Sequence, residues 1–228
     1  RNEINSGRLV MVGSRMSDPS SDHDDFLLPH RDYLLAIPDF DFTSGIGLAD
    51  LPADRDGNVR SFITAPVVRE SPQMAGQSLP RLTLGTLLAV RATGQNPMAE
   101  AWQLGGRQLI RSDQPISIGY AGPPGTVMRV SLSRLLAQDA LQDGVVTSLR
   151  GKVAIIGGEF MGMNDFHLTP YSSGFFGNSG SLMTGPEVQA NIVETLLSGK
   201  ANQRLPDFLR AVYFLLVLAL VTLVYQRL

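Results

Sequence analysis

The 228-residue sequence contains no cysteine, three histidines, one tryptophan and only 18% charged residues. The absence of cysteine excludes a disulfide scaffold, thiolate metal sites and cysteine catalysis. It leaves the compartment open, because a cysteine-free chain suits both the cytosol and an oxidising exterior. The net charge of −2 gives no reason to expect nucleic acid as a partner. His23 and His30 lie near an acidic run, and His167 lies two residues after Asp165. A zinc site needs three converging ligands, so no metal and no cofactor are expected. Three chemical signatures are also missing. Gly177-Asn-Ser179-Gly180 approaches a nucleophile elbow, but Ser181 stands where its last glycine belongs. Gly151-Lys152 lacks the spacing of a phosphate-binding loop, and Gly157-Gly158-x-x-x-Gly162 lacks that of a dinucleotide loop.

What is present is unevenly distributed. Residues 1–60 hold 11 acids and 6 bases, and the remainder 10 acids and 13 bases. Asp18, Asp22, Asp24 and Asp25 crowd into one Ser/Asp-rich run, which reads as a solvated loop. The apolar excess is at the other end. Ala211–Gln226 is a charge-free run, extended by Phe208 and Leu209 around Arg210. That length is near the minimum for spanning a bilayer, roughly 17 residues, and no face of the run is polar. A membrane helix over 207–228 is therefore expected, with Leu209–Gln226 in the lipid. The chain opens on Arg1 and stops just after this run, so it reads as a piece of a longer protein.

The preceding residues, 1–206, read as one α/β domain with a single mixed sheet. Leu9–Gly13 reads as a buried strand. Asp56-Gly57, between the apolar runs Gly45–Leu51 and Val59–Val68, predicts a hairpin. Leu79–Ala92 reads as a helix stopped by Gly94, and Gly105-Gly106 as a turn. Ile116–Tyr120 and Thr126–Leu132 read as strands, and Ser133 as the cap of a helix to about Leu141. Val153–Ile156, between glycines, predicts a fully buried parallel strand. A long Gly/Ser-rich loop follows over about 159–183, and such loops are usually functional or mobile. The last helix of the domain spans Gly185–Ser198. Val188, Ile192, Val193, Leu196 and Leu197 mark its buried face, and Glu187, Asn191, Glu194 and Ser198 the opposite one.

Four polar residues near that loop and helix are candidates for ligand binding. Asp165 and Thr169 follow the strand Val153–Ile156, where α/β sheets dock ligands. Asp165 has an equal structural alternative, folding its own loop. Glu187 and Asn191 lie on the helix. Thr184-x-x-Glu187 is a capping box, with Pro186 in the first turn, so Glu187 is either a helix cap or a ligand contact.

Four segments resemble, in order, the second type of CHASE domain, a sensory extracellular domain associated with bacterial cyclases and histidine kinases. They are Gly45–Leu48 through Pro52–Arg60; Ile118–Thr126 with Val130-Ser131; Leu149–Gly157 with Asp165 and Thr169-Pro170 downstream; and Gly185–Asn191 with Leu196–Gly199 and a membrane helix. The resemblance covers roughly residues 9–206. Gln189 stands where the family often has His, and Pro186 where it often has a small aliphatic residue. The resemblance implies that residues 1–206 lie on the periplasmic side of a bacterial cytoplasmic membrane. They would relay an unidentified small-molecule or protein signal to a cyclase or kinase output, with no catalytic residue in this piece. Two alternatives remain: a protein-interaction module forming a homodimer, and an extracytoplasmic hydrolase.

Overall fold

The computed structural model describes residues 8–17, 20–35, 41–69, 79–159, 165–172, 181–201 and 207–226. The strands are β1 (Met11–Ser17), β2 (Asp24–Leu27), β3 (Ile46–Leu48), β4 (Ser61–Phe62), β5 (Ala101–Leu104), β6 (Arg107–Ile110), β7 (Ile116–Ser117), β8 (Phe166–His167) and β9 (Met183–Thr184). The helices are α1 (Arg31–Leu35), α2 (Phe42–Gly45), α3 (Leu84–Ala92), α4 (Leu132–Leu135), α5 (Gly144–Thr147), α6 (Gly185–Ser198) and α7 (Asp207–Tyr225).

The α/β character expected from the sequence is present, and among the described residues the strands fall into several small sheets rather than one. Among the described residues, one three-stranded sheet has the order β2-β1-β3, with β1–β2 antiparallel and β1–β3 parallel. Three separate antiparallel pairs, β4–β7, β5–β6 and β8–β9, complete the strands. The sheet breaks up because side chains take over ladder positions. The Thr64 hydroxyl donates to the carbonyls of Ile110 and Ser112 and accepts from the Ser112 N–H at 2.8 Å. Every buried backbone group needs a partner, and here many partners are not strands.

Several local expectations change for similar reasons. Asp56-Gly57 does form a turn, closed by Asp54 N–H on the Asn58 carbonyl at 2.8 Å. The runs beside it do not pair into a hairpin. β3 pairs with β1, and Val59 N–H goes to the Leu168 carbonyl. Arg60 clamps the turn with hydrogen bonds to Asp54 and Asp56 at 2.7–2.8 Å. The helix expected from Leu79 begins at Leu84. The Thr83 hydroxyl before it binds the Ile63 carbonyl at 2.8 Å. Thr126–Leu132 is not a strand, and Ser131, not Ser133, caps α4. Asp24 of the acidic run is fully buried, in a strand, and held by Arg69 at 2.8 Å with Arg15 nearby. Its neighbour Asp25 is exposed, as a solvated loop predicts.

The core lies where α3 and α6 cross. Leu87, Val90, Val188, Ile192 and Leu196 pack there with Phe62, Trp102, Leu104 and Met183. The helices approach closely because Gly85 has no side chain. A methyl group there would meet Ile192 Cγ2 at 2.5 Å. The Trp102 indole N–H is satisfied by the Asn96 carbonyl at 2.9 Å. Among the described residues, the one helix long and apolar enough to cross a membrane is α7, with a mean hydropathy of 2.3 over Phe208–Tyr225 and none of that stretch buried.

Candidate functional site

The sequence predicts α6 correctly from Gly185 to Ser198, with Gly199 in a left-handed conformation ending it. Its apolar face packs into the core as expected. The opposite face is only partly turned to water. Glu187 is 4% and Asn191 1% exposed, while Glu194 is exposed. Thr184 makes no side-chain capping bond, so the capping box does not form. Instead, α6 carries a polar ladder at positions i, i+4 and i+8.

Each rung holds the backbone of the segment 119–127. The Glu187 carboxylate accepts from Gly125 N–H at 2.8 Å and Val127 N–H at 3.2 Å. The Asn191 side-chain carbonyl accepts from Ala121 N–H at 2.9 Å. The Thr195 hydroxyl accepts from Gly119 N–H at 2.9 Å and donates to the Asn191 carbonyl. The Gly/Pro-rich stretch between two strand-like runs is thus held by helix side chains. Successive rungs share one face because residues four apart are neighbours on a helix. Sequence reasoning missed Thr195. The signal was available as three polar residues at spacing four opposite a Gly/Pro-rich segment.

Arg129 extends the ladder. Its guanidinium pairs with buried Glu187 and with Glu159 across the gap. Burial alone would lower its pKa, but the two carboxylates outweigh this and raise it. A groove of about 770 Å3 opens beside these groups. Leu132, Leu135, Leu149, Val153, Ile155 and Leu197 form apolar walls, and Arg129, Glu187 and Asn191 contribute polar groups. That volume is within the usual range for a small-molecule site, roughly 300–1,000 Å3. A second concavity, of about 420 Å3 beside Val12–Ser14 and Leu27–Pro29, has no ionisable side chain in its lining.

The four candidate residues are therefore divided. Glu187 and Asn191 line the groove, whereas Asp165 and Thr169 do not. The Asp165 carboxylate accepts from His167 Nε2 at 2.9 Å, and its backbone carbonyl accepts from Gly185 N–H. Thr169 is fully buried, and its hydroxyl accepts from Tyr171 N–H. Both residues shape the loop, which is not structureless, since β8 pairs with β9 inside it. Its residues 160–164 and 173–180, including the near-elbow at Ser179, lie outside the described residues. Gln189 also has a packing role. It accepts from Gly85 N–H at 3.1 Å and donates to the Ala49 carbonyl, tying α6 to α3.

The fully buried parallel strand expected at Val153–Ile156 is absent. The segment pairs with no strand among the described residues, and Ile156 is 80% exposed. No group of three or more histidine or acidic side chains suited to a metal occurs among the described residues.

At its C-terminal end α6 is clasped by two glycines. A methyl on Gly119 would overlap the Lys200 carbonyl oxygen, and one on Gly105 would overlap the backbone of Gly199. The turn of the β5–β6 hairpin and the segment 116–121 thereby grip the exit from α6, seven residues before α7 begins.

No curated protein and no solved structure matches the chain. The CHASE2 domain family matches residues 4–225, which is wider than the four sequence segments suggested and takes in α7. The chain therefore belongs to the CHASE2 family of extracellular sensory domains.

Proposed function

We propose that the chain is the signal-receiving part of a bacterial transmembrane receptor. Residues 1–206 stand on the periplasmic side of the cytoplasmic membrane, and α7 carries the signal inward to a cyclase or kinase output. The observation that carries this reading is that α6 touches both the groove and the clasp next to the connector toward α7. An occupant of the groove meets Arg129, Glu187 and Asn191. Any shift of the 119–127 segment is felt at three successive turns of α6, because Glu187, Asn191 and Thr195 hold its N–H groups. Glu187 and Asn191 act as positioning residues for this wall. Asp165 and Thr169 act on the loop that leads to Gly185. A ligand moves the equilibrium only through its different affinity for two states, and such couplings are typically about 1–3 kcal/mol.

The test is a thermal-shift screen of the chain in detergent against small extracytoplasmic solutes, followed by output assays on the complete receptor. A specific solute raises Tm by mass action, and Thr195→Val uncouples output while leaving that Tm shift in place. The relay is wrong if Thr195→Val receptors respond as the native one does. The groove is wrong as the signal site if a solute that drives output still shifts Tm after Leu135→Arg.

A further inference from the structure

Arg129 holds two carboxylates, and they are kept with different firmness. One terminal nitrogen of its guanidinium donates to Glu187 and the other to Glu159. The Glu187 side chain is 3% exposed, and its carboxylate also accepts from the N–H groups of Gly125 and Val127. Taking it from Arg129 would strand a buried charge. The Glu159 side chain is 49% exposed, and among the described residues its carboxylate meets Arg129 alone. A pair that exposed is held weakly. The nitrogen on Glu159 therefore exchanges its partner readily, and the nitrogen on Glu187 does not. Both Arg129 and Glu159 line the groove. One wall beside them is a stripe of α6, Ala190, Val193 and Leu197, spaced three and four residues apart and so on one helix face. The other wall includes Leu132, Leu135 and Ile155.

The geometry points to a monocarboxylate with an apolar body as the occupant of the groove. Its carboxylate takes the place of Glu159 on Arg129, and its body lies between the two apolar walls. The proposal rests on the groove being the site where the signal binds. Charge selects the class. The groove lining carries Arg129 and Lys152 against Glu159, Glu187 and Glu194. With Glu159 turned out to water, two cations face two carboxylates, and one incoming negative charge restores the native balance. A dianion such as phosphate would crowd a second negative charge beside buried Glu187. A cationic head would meet Arg129 already seated between the two carboxylates. An uncharged head leaves Arg129 with Glu159.

The test compares three probes of one shape, octanoate, octanamide and octylamine, on the whole chain in detergent near neutral pH. Binding is read by titration calorimetry against the same detergent without protein. Octanoate is expected to bind, with the amide and the amine weaker by roughly tenfold or more, the loss of a charge-assisted hydrogen bond. Glu159→Gln removes the competing carboxylate and is expected to tighten octanoate by up to about fivefold, the worth of an exposed ion pair. Leu135→Glu places a negative charge in the wall and is expected to abolish octanoate binding. Octanoate that does not bind, or binds no better than octanamide, overturns the proposal. So does octanoate binding that Glu159→Gln weakens. Octylamine that binds and loses affinity in Glu159→Gln also overturns it, by making Glu159 a contact for a cation. If octanoate fails while another solute's Tm shift is lost in Leu135→Arg, the class of molecule is wrong and the groove remains the signal site. If octanoate binds as expected and the complete receptor's output ignores it, the groove is wrong as the signal site and the class of molecule stands.

Discussion

The α3–α6 region and the arm from Thr126 to Glu159 use the same kinds of residue to opposite ends. Around α3 and α6, Leu, Ile and Val side chains are buried, and Glu187, Gln189 and Asn191 among them each accept from a backbone N–H of another segment. In the arm, α4 and α5 are each four residues long, and Leu136, Leu141 and Ile156 are at least 75% exposed. Short helices cannot hold themselves together, since most helix stability comes from packing an apolar face. The first region is a scaffold. The second carries exposed apolar side chains and the walls of the groove. The ladder on α6 is the seam between them.

The sharpest way to break this contrast is to delete the same kind of atoms on each side. Ile192→Ala in the core is expected to cost about 2–5 kcal/mol in urea denaturation. Ile156→Ala on the arm is expected to change stability by less than about 0.5 kcal/mol. Equal losses would show that the arm is as tightly packed as the scaffold. At the seam, Glu187→Ala leaves the N–H groups of Gly125 and Val127 without their acceptor, at a cost of roughly 1–3 kcal/mol. Glu187→Gln keeps an acceptor oxygen, so it should recover part of that loss in the same denaturation series. Thr195→Val keeps the shape but removes the acceptor for Gly119 N–H. It is expected to cost about 1 kcal/mol and to speed hydrogen exchange at Gly119, with little change at Ala121.

The smallest effect is electrostatic and lies at the turn before β4. Hydrogen bonds from Arg60 hold the Asp56 carboxyl well below the usual carboxylate range. A carboxyl whose folded pKa is depressed contributes stability above its unfolded pKa, about 3.9. That contribution declines as pH falls from there toward the folded value. The Tm difference between the native chain and Asp56→Asn should therefore be flat from pH 7 to 5 and shrink below about pH 4. The position is exposed, so the difference is small and sensitive to salt. A difference that grows on acidification would place the pairing elsewhere.

Much of the scaffold was readable in the sequence. The limits of α6, the Gly105-Gly106 turn and the apolar run of α7 each rest on local pattern: helical periodicity, paired glycines and continuous apolarity. The candidate site was half readable. Glu187 and Asn191 were found, but as an outward face and a cap. Arg129, Thr195 and the gripping glycines 105 and 119 were not found. Nothing within a few residues of them announces a partner 58 or more positions away.

By itself the sequence determined that this is a cysteine-free α/β domain with one apolar helix able to cross a membrane, and it placed the helix that precedes it. These depend on composition and on periods of a few residues. Only the tertiary structure decided that the face of α6 that looked solvated binds another backbone segment, and that Val153–Ile156 pairs with no strand among the described residues. A polar side chain and a free strand look the same in sequence whether water, a helix or another strand satisfies them. Which of these does so depends on residues far apart in the chain.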